Sequence, residues 1–210
     1  MRKNIFVALL LLLLPAAMLT AQDAAAVQLL EKAIAGIKAD AAVQMQFDYI
    51  IYDESGVEQY ADNGSLKLDG NSYALFVSPM RLWCDGTTQW SYMAGADEIY
   101  ITEAGSEEAQ AYNPVYLMGL YKNGYTSSLK SAAGKSVVTL DAADKGAYLN
   151  KVEITLDTKS LRPVALRLYM DGQGCTHVVI NDYKPKCRLE KRVYSCPTED
   201  YPSSEIIDMR

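Results

Sequence analysis

From Val43 to Ile51 apolar and polar side chains alternate. Val43, Met45, Phe47, Tyr49 and Ile51 share one parity, and Gln44, Gln46 and Asp48 share the other. A period of two marks a β-strand with one buried face. The same pattern, punctuated by turn residues, predicts further strands at Glu58–Leu68, Tyr73–Val77, Met80–Cys84, Gln89–Met93, Glu98–Thr102, Ser136–Leu140, Ala147–Leu156, Val164–Met170 and Thr176–Tyr183. Ser55-Gly56, Asp69-Gly70-Asn71, Asp85-Gly86 and Asp171-Gly172 supply the tight turns between them. Two segments follow helical spacing instead. Leu29, Leu30, Ala33, Ile34 and Ile37 form an apolar stripe behind Asp23, a candidate N-cap; Tyr116, Leu117, Leu120 and Tyr121 form another behind Asn113-Pro114 and before Asn123-Gly124. Glu103–Tyr112, acidic and rich in small residues, reads as a loop.

The expected fold is therefore mainly β (α+β): roughly nine to eleven antiparallel strands in one twisted sheet, an unclosed half-barrel covered by short α-helices. One face of that sheet is apolar and must be covered, yet only two short helices are available to cover it. A large curved sheet under a small cover leaves a groove or cavity lined by apolar side chains.

The first residues bear on the compartment. Arg2 and Lys3, an apolar run from Ile5 to Leu14, Pro15 and the small-residue site ending at Ala21 have the three-part layout of a secretory signal peptide. The domain plan is thus a signal peptide over residues 1–21 and a single domain over 22–210. No cysteine stands just after the apolar run, so the mature chain is expected to be released into the periplasm rather than lipid-anchored. Losing Arg2 and Lys3 would take the net charge from −6 to −8. That balance argues against nucleic-acid partners and anionic lipid headgroups. Cys84, Cys175, Cys187 and Cys196 permit three disulfide pairings in an oxidising compartment, and their sequence spacing does not choose among them. No C-x-x-C pair points to a redox site, and His177, two residues from Cys175, lacks zinc-ligand spacing.

No catalytic constellation emerges. No G-x-S-x-G elbow accompanies His177, and the acidic pairs Asp53-Glu54, Asp97-Glu98 and Glu107-Glu108 fall in or beside turns, where solvated acids are ordinary. No enzyme activity, cofactor or metal is expected. Fifteen tyrosines and eight methionines suit either an ordinary β core or a pocket for variable apolar ligands.

Gly64-Ser-Leu-Lys-Leu68, a turn, Tyr73-Ala-Leu, and then Trp83-Cys-Asp85-Gly86-Thr-Thr-Gln-Trp90-Ser-Tyr92 resemble the LolA-type periplasmic carriers of outer-membrane lipoproteins. Glu98-Ile-Tyr-Ile, Asn113-Pro114 and the tail Glu205-Ile-Ile-Asp208 follow the family in the same order. The resemblance implies an unclosed antiparallel barrel with a helical lid. It also implies a cavity for the acyl chains of lipoproteins and transfer from an inner-membrane LolCDE-type transporter to the outer membrane, whose acceptor it leaves open. Where the family has an Arg-Pro pair at the hairpin corner, an arginine that helps latch the lid, this chain has Gly70-Asn71. Strand and helix parity then assigns Phe47, Tyr49, Leu66, Leu68, Trp90, Tyr92, Leu117, Leu120 and Leu168 to the acyl-chain cavity of a monomer. A lipid or lipoprotein sensor on the same scaffold, and a lipid-modifying hydrolase using His177, are the alternatives.

Overall fold

A computed structural model describes residues 23–210, so the leader assigned to residues 1–21 lies outside the described residues. The chain opens with α1 (Ala24–Ala39), started by Asp23, whose carboxylate accepts the backbone N–H groups of Ala25 (2.9 Å) and Ala26 (3.3 Å). Ala26, Leu30, Ala33 and Ile37 are its buried stripe, the 3.6-residue period of the sequence realised as packing.

Twelve strands follow: β1 (Val43–Tyr52), β2 (Glu58–Asp69), β3 (Ser72–Val77), β4 (Met80–Cys84), β5 (Thr88–Met93), β6 (Glu98–Glu103), β7 (Tyr125–Ala132), β8 (Lys135–Ala142), β9 (Lys151–Asp157), β10 (Pro163–Met170), β11 (Gly174–Lys184) and β12 (Glu205–Asp208). They form one sheet in the order β12-β6-β5-β4-β3-β2-β1-β11-β10-β9-β8-β7. β7 and β12 are the two free edges, and the sheet is not closed into a barrel. Between β6 and β7 lie the single turn α2 (Glu107–Gln110) and α3 (Pro114–Gly119), continued by a 3-10 turn at Leu120–Lys122. α1 and α3 pack against each other across the inner face of the sheet.

The main departures from the sequence pattern are at the edges. β7 has only two buried positions, Tyr125 and Ser127, so its alternation is hidden among Ser, Thr and Lys. β12 runs parallel to β6 and makes the sheet mixed; none of its four residues is buried. The predicted strand from Ala147 starts only at Lys151, because Ala147–Asn150 loops back over the inner face and buries Leu149.

Two cores result. The larger lies between the inner face, α1 and α3, and includes Leu30, Met45, Leu68, Tyr73 and Ile154. The smaller lies on the outer face, where Ala74, Trp83 and Trp90 are covered by the segment after β11, through Leu189, Tyr194 and Tyr201. That outer layer had no counterpart in the sequence reading.

A candidate acyl-chain cavity

Every strand of the half-barrel has one end at which the β1–β2, β3–β4, β5–β6 and β10–β11 hairpins cluster, as the antiparallel registers require. A cavity of about 280 Å³ opens toward that end, between the inner face and the lid formed by α3 and the segment before it. Its wall is built by parity. Met45, Phe47, Tyr49 and Ile51 come from β1, Leu66 from β2, and Leu166, Leu168 and Met170 from β10; Thr176, Val178 and Ile180 come from β11. Ala111, Tyr112, Pro114 and Leu117 close it from the lid, and Tyr148 and Leu149 from the loop before β9. No carboxylate, ammonium or guanidinium lines it among the described residues. A site of this composition offers dispersion and desolvation to an apolar guest and little else.

Gly64 makes room for one wall. It sits directly opposite Phe47, and a Cβ placed there would lie 2.5 and 2.6 Å from the Phe47 ring and 2.8 Å from Val77. The ring lies flat over the bare backbone only because position 64 has no side chain.

The lid is tied down at two points. Asn113 caps α3 by accepting the Val115 N–H (2.9 Å), and its Nδ2 donates to the Gly70 carbonyl in the β2–β3 hairpin (3.2 Å). Tyr73, buried on β3, places its hydroxyl between the Ala109 carbonyl and the Gln89 side-chain amide (2.7 Å from the latter). Burial raises the Tyr73 hydroxyl above the ordinary phenol range, so it stays a donor. The corner that carries an arginine in LolA-type carriers thus offers a backbone carbonyl here, and the donor comes from the lid.

Of the nine side chains assigned to the cavity from parity, Phe47, Tyr49, Leu66, Leu117 and Leu168 are brought together on its wall. Leu68 and Leu120 are sealed in the core beyond it, at 1% and 3% exposure, where α1 and Tyr73 fill the closed end. Trp90 and Tyr92 are on the opposite face, and their assignment is corrected. Trp90 stands opposite Trp83 in the register, and both belong to the outer cluster under Tyr194 and Tyr201. On β5 the inner-facing phase is the polar Gln89 and Ser91 and the exposed Met93, opposite Cys84, Leu82 and Met80, so aromatic parity there marks the second core. Met45, Ile51, Leu166 and Met170, which parity reasoning left out, share strand and phase with residues it chose. Tyr148 and Leu149 come from irregular backbone and carried no such signal.

The remaining reactive groups are elsewhere. His177 lies in a cross-strand row with Arg167 and Glu153, the phase opposite to cavity-lining Thr176 and Val178. Burial, and then the Arg167 charge, hold its pKa below the usual histidine value. All four cysteines are free thiols; Cys84 is buried at the closed end, and burial pushes the Cys196 thiol up to about 11.

An open twelve-stranded sheet that shelters an apolar cavity under a small helical lid defines a binding scaffold. The model of the family described as outer membrane lipoprotein carrier protein LolA matches residues 20–173, and the chain belongs to that family. No curated protein sequence matches. Among solved structures, the chain is similar to a LolA superfamily protein from Nitrosomonas europaea (12% identity, TM-score 0.46, covering 81% of this chain and 97% of that one). It is also similar to a putative outer membrane lipoprotein-sorting protein domain from Vibrio parahaemolyticus (12%, 0.41, 80% and 95%). MucB of Pseudomonas aeruginosa, in complex with MucA, aligns at 13% identity and TM-score 0.41 over 84% of this chain and 62% of that one.

Proposed function

We propose that the protein is a periplasmic chaperone that holds the acyl chains of lipoproteins in this cavity and carries them from an inner-membrane LolCDE-type transporter to the outer membrane. The observation that carries the reading is the cavity itself: about 280 Å³ of space walled by apolar side chains from six strands, the lid and the loop before β9. A space of that size lies at the lower end of ordinary ligand pockets, roughly 300–1,000 Å³, so a multiply acylated cargo requires the lid to swing. The lid is built for that. Its attachments to the hairpin side are two hydrogen-bonded points, Asn113–Gly70 and Tyr73–Ala109, and each is worth about 1 kcal/mol net. Burying one methylene contributes about 0.8 kcal/mol, so a single entering chain can outweigh the pair. The reading is one of binding without catalysis: His177 faces away from the cavity.

The deciding experiment is native mass spectrometry of the mature protein purified from its own periplasm. Co-purifying acylated peptides are the expected result. Protein carrying phospholipid alone would replace the carrier reading with a lipid sensor, and protein that binds no acylated molecule when offered one would end it.

A further inference from the structure

A charged group stands beside one wall of the apolar cavity. Asp62 on β2 is the direct cross-strand neighbour of Tyr49, so its carboxylate shares the inner face with the ring that lines the wall. Tyr60, two residues nearer the hairpin, packs its ring 5.9 Å from that of Tyr49 and donates to Asp62 Oδ2 at 2.9 Å. Oδ1 accepts the Asn63 N–H at 2.8 Å. Both partners are neutral, and none of the ion pairs among the described residues involves Asp62. Just beside it the Tyr49 hydroxyl donates to the Ser78 carbonyl at 2.8 Å. This side of the mouth therefore presents acceptors and an uncompensated negative charge. The surrounding sequence deepens that charge: residues 48–63 contain Asp48, Asp53, Glu54, Glu58 and Asp62 and no lysine or arginine. Arg81, which lines the groove adjoining Asp62, stands opposite Tyr92 in the outer-face phase of β4, makes no ion pair with Asp62, and donates one guanidinium N–H to the Tyr201 hydroxyl at 2.9 Å.

A guest whose tails fill the cavity must bring its polar end out past this side. An anionic headgroup would meet repulsion there, and a neutral one would leave the carboxylate without an opposite charge. We infer that Asp62 receives a primary ammonium group borne next to the acyl chains. Two molecules supply that chemistry: a lipopeptide that is diacylated but keeps a free α-amine, and a phospholipid with an ethanolamine headgroup. The inference rests on the reading of the cavity as an acyl-chain site, and it adds which acyl compounds are preferred.

The test uses the mature protein and four probes measured by isothermal titration: a synthetic dipalmitoyl lipopeptide with a free amine, its N-acetylated form, and dioleoylphosphatidylethanolamine against dioleoylphosphatidylglycerol. The free amine should bind about tenfold tighter than the acetylated form at neutral pH, as expected for one charge-assisted contact. In Asp62→Asn that ratio should fall to near one, whereas Glu54→Gln, which removes a charge from the hairpin tip alone, should keep it. Equal affinities in the native protein, or the same collapse in both variants, would overturn the inference. The phospholipid arm assigns the source: a matching preference for ethanolamine over glycerol points to a headgroup, and its absence points to a lipoprotein terminus. If not even the acetylated lipopeptide binds, the cavity reading itself fails, and that outcome is distinct from bound probes without discrimination.

Discussion

Replacing Gly64 with alanine should shrink the cavity without unfolding the protein. The backbone is not an obstacle: Gly64 lies inside β2, where it pairs with Phe47 and Val77, and alanine is at home in extended backbone. The new methyl would lie 2.5 Å from the Phe47 ring, where carbon atoms sit comfortably at about 3.5 Å. The ring must therefore shift by about 1 Å. Backbone blocks it on one side, and the free space on the other is the cavity. A phenyl ring moving that far sweeps on the order of 40 Å³, or roughly the room of one or two methylenes, in a densely packed wall. At about 0.8 kcal/mol per methylene the loss is about 1–1.5 kcal/mol, or close to tenfold in affinity for a chain that fills the site.

The assay is displacement of cis-parinaric acid by fatty acids of increasing length, read beside thermal unfolding. Gly64→Ala should weaken long chains by about tenfold and short ones little, with a stability change of less than about 1 kcal/mol because the ring has empty space to enter. Adding Phe47→Leu should restore long-chain binding. Unchanged affinity together with a lowered melting temperature would show that the ring moves within the core, and would refute the assignment of Phe47 to the wall.

Leu168→Glu should abolish acyl-chain binding while the protein stays folded, since the carboxylate can lean toward the open mouth; Leu68→Glu buries a charge at a site 1% exposed and should cost several kcal/mol of stability, so a native-like melting curve for it would contradict the sealed end of the core. Both tryptophans, Trp83 and Trp90, belong to the outer-face cluster, so acyl ligands should leave tryptophan emission unmoved; a shift on binding would relocate the site. Asn113→Ala removes the α3 cap and the tie to Gly70 together, and should speed amide exchange in residues 113–122 and ligand release, at a cost of about 1–2 kcal/mol. His177 is the single histidine, and its folded pKa is depressed, so the unfolded chain binds the proton more readily. Stability should hold above the unfolded value of about 6.5 and decline as pH falls from there toward the lower folded pKa; His177→Gln should flatten the melting temperature between pH 7 and 5.

What was legible in the sequence follows from how each signal arises. β1 matched its observed bounds to within a residue, because one buried face writes itself as a strict alternation between turn residues. β7 and β12 were illegible as strands: an edge strand hydrogen-bonds on one side and buries little, so Ser127 and Ser128 satisfy the backbone without an apolar rhythm. Parity put Phe47, Tyr49, Leu66 and Leu168 on one face of the sheet, the inner one, because on β1, β2 and β10 the opposite phase is mostly polar. It misplaced Trp90 and Tyr92 for a definite reason. Parity reports which residues are buried together, and it cannot say under what. On β5 the aromatic phase is covered by a chain segment about a hundred residues later in sequence, Leu189 to Tyr201, whose own apolar residues are too irregularly spaced to announce a layer.

That outer layer also bears on how a half-barrel can release what it holds. A sheet whose inner face alone were buried would lose much of its packing each time the lid opened. Here β3, β4 and β5 keep a second core, with Trp83 between Phe76 and Tyr201 at ring distances of 5.8 and 6.0 Å, and that core involves neither α1 nor α3. β1 and β11 are braced differently, through a ladder of nine residue pairs and the bond from Cys187 N–H to the Ala42 carbonyl (2.8 Å). The wall opposite the lid is therefore stabilised independently of whether the cavity is shut. Opening then costs the exposure of the lid's own apolar stripe and the two polar ties, a sum that burying roughly a dozen methylenes of cargo chain can offset, rather than the cooperative loss of the sheet.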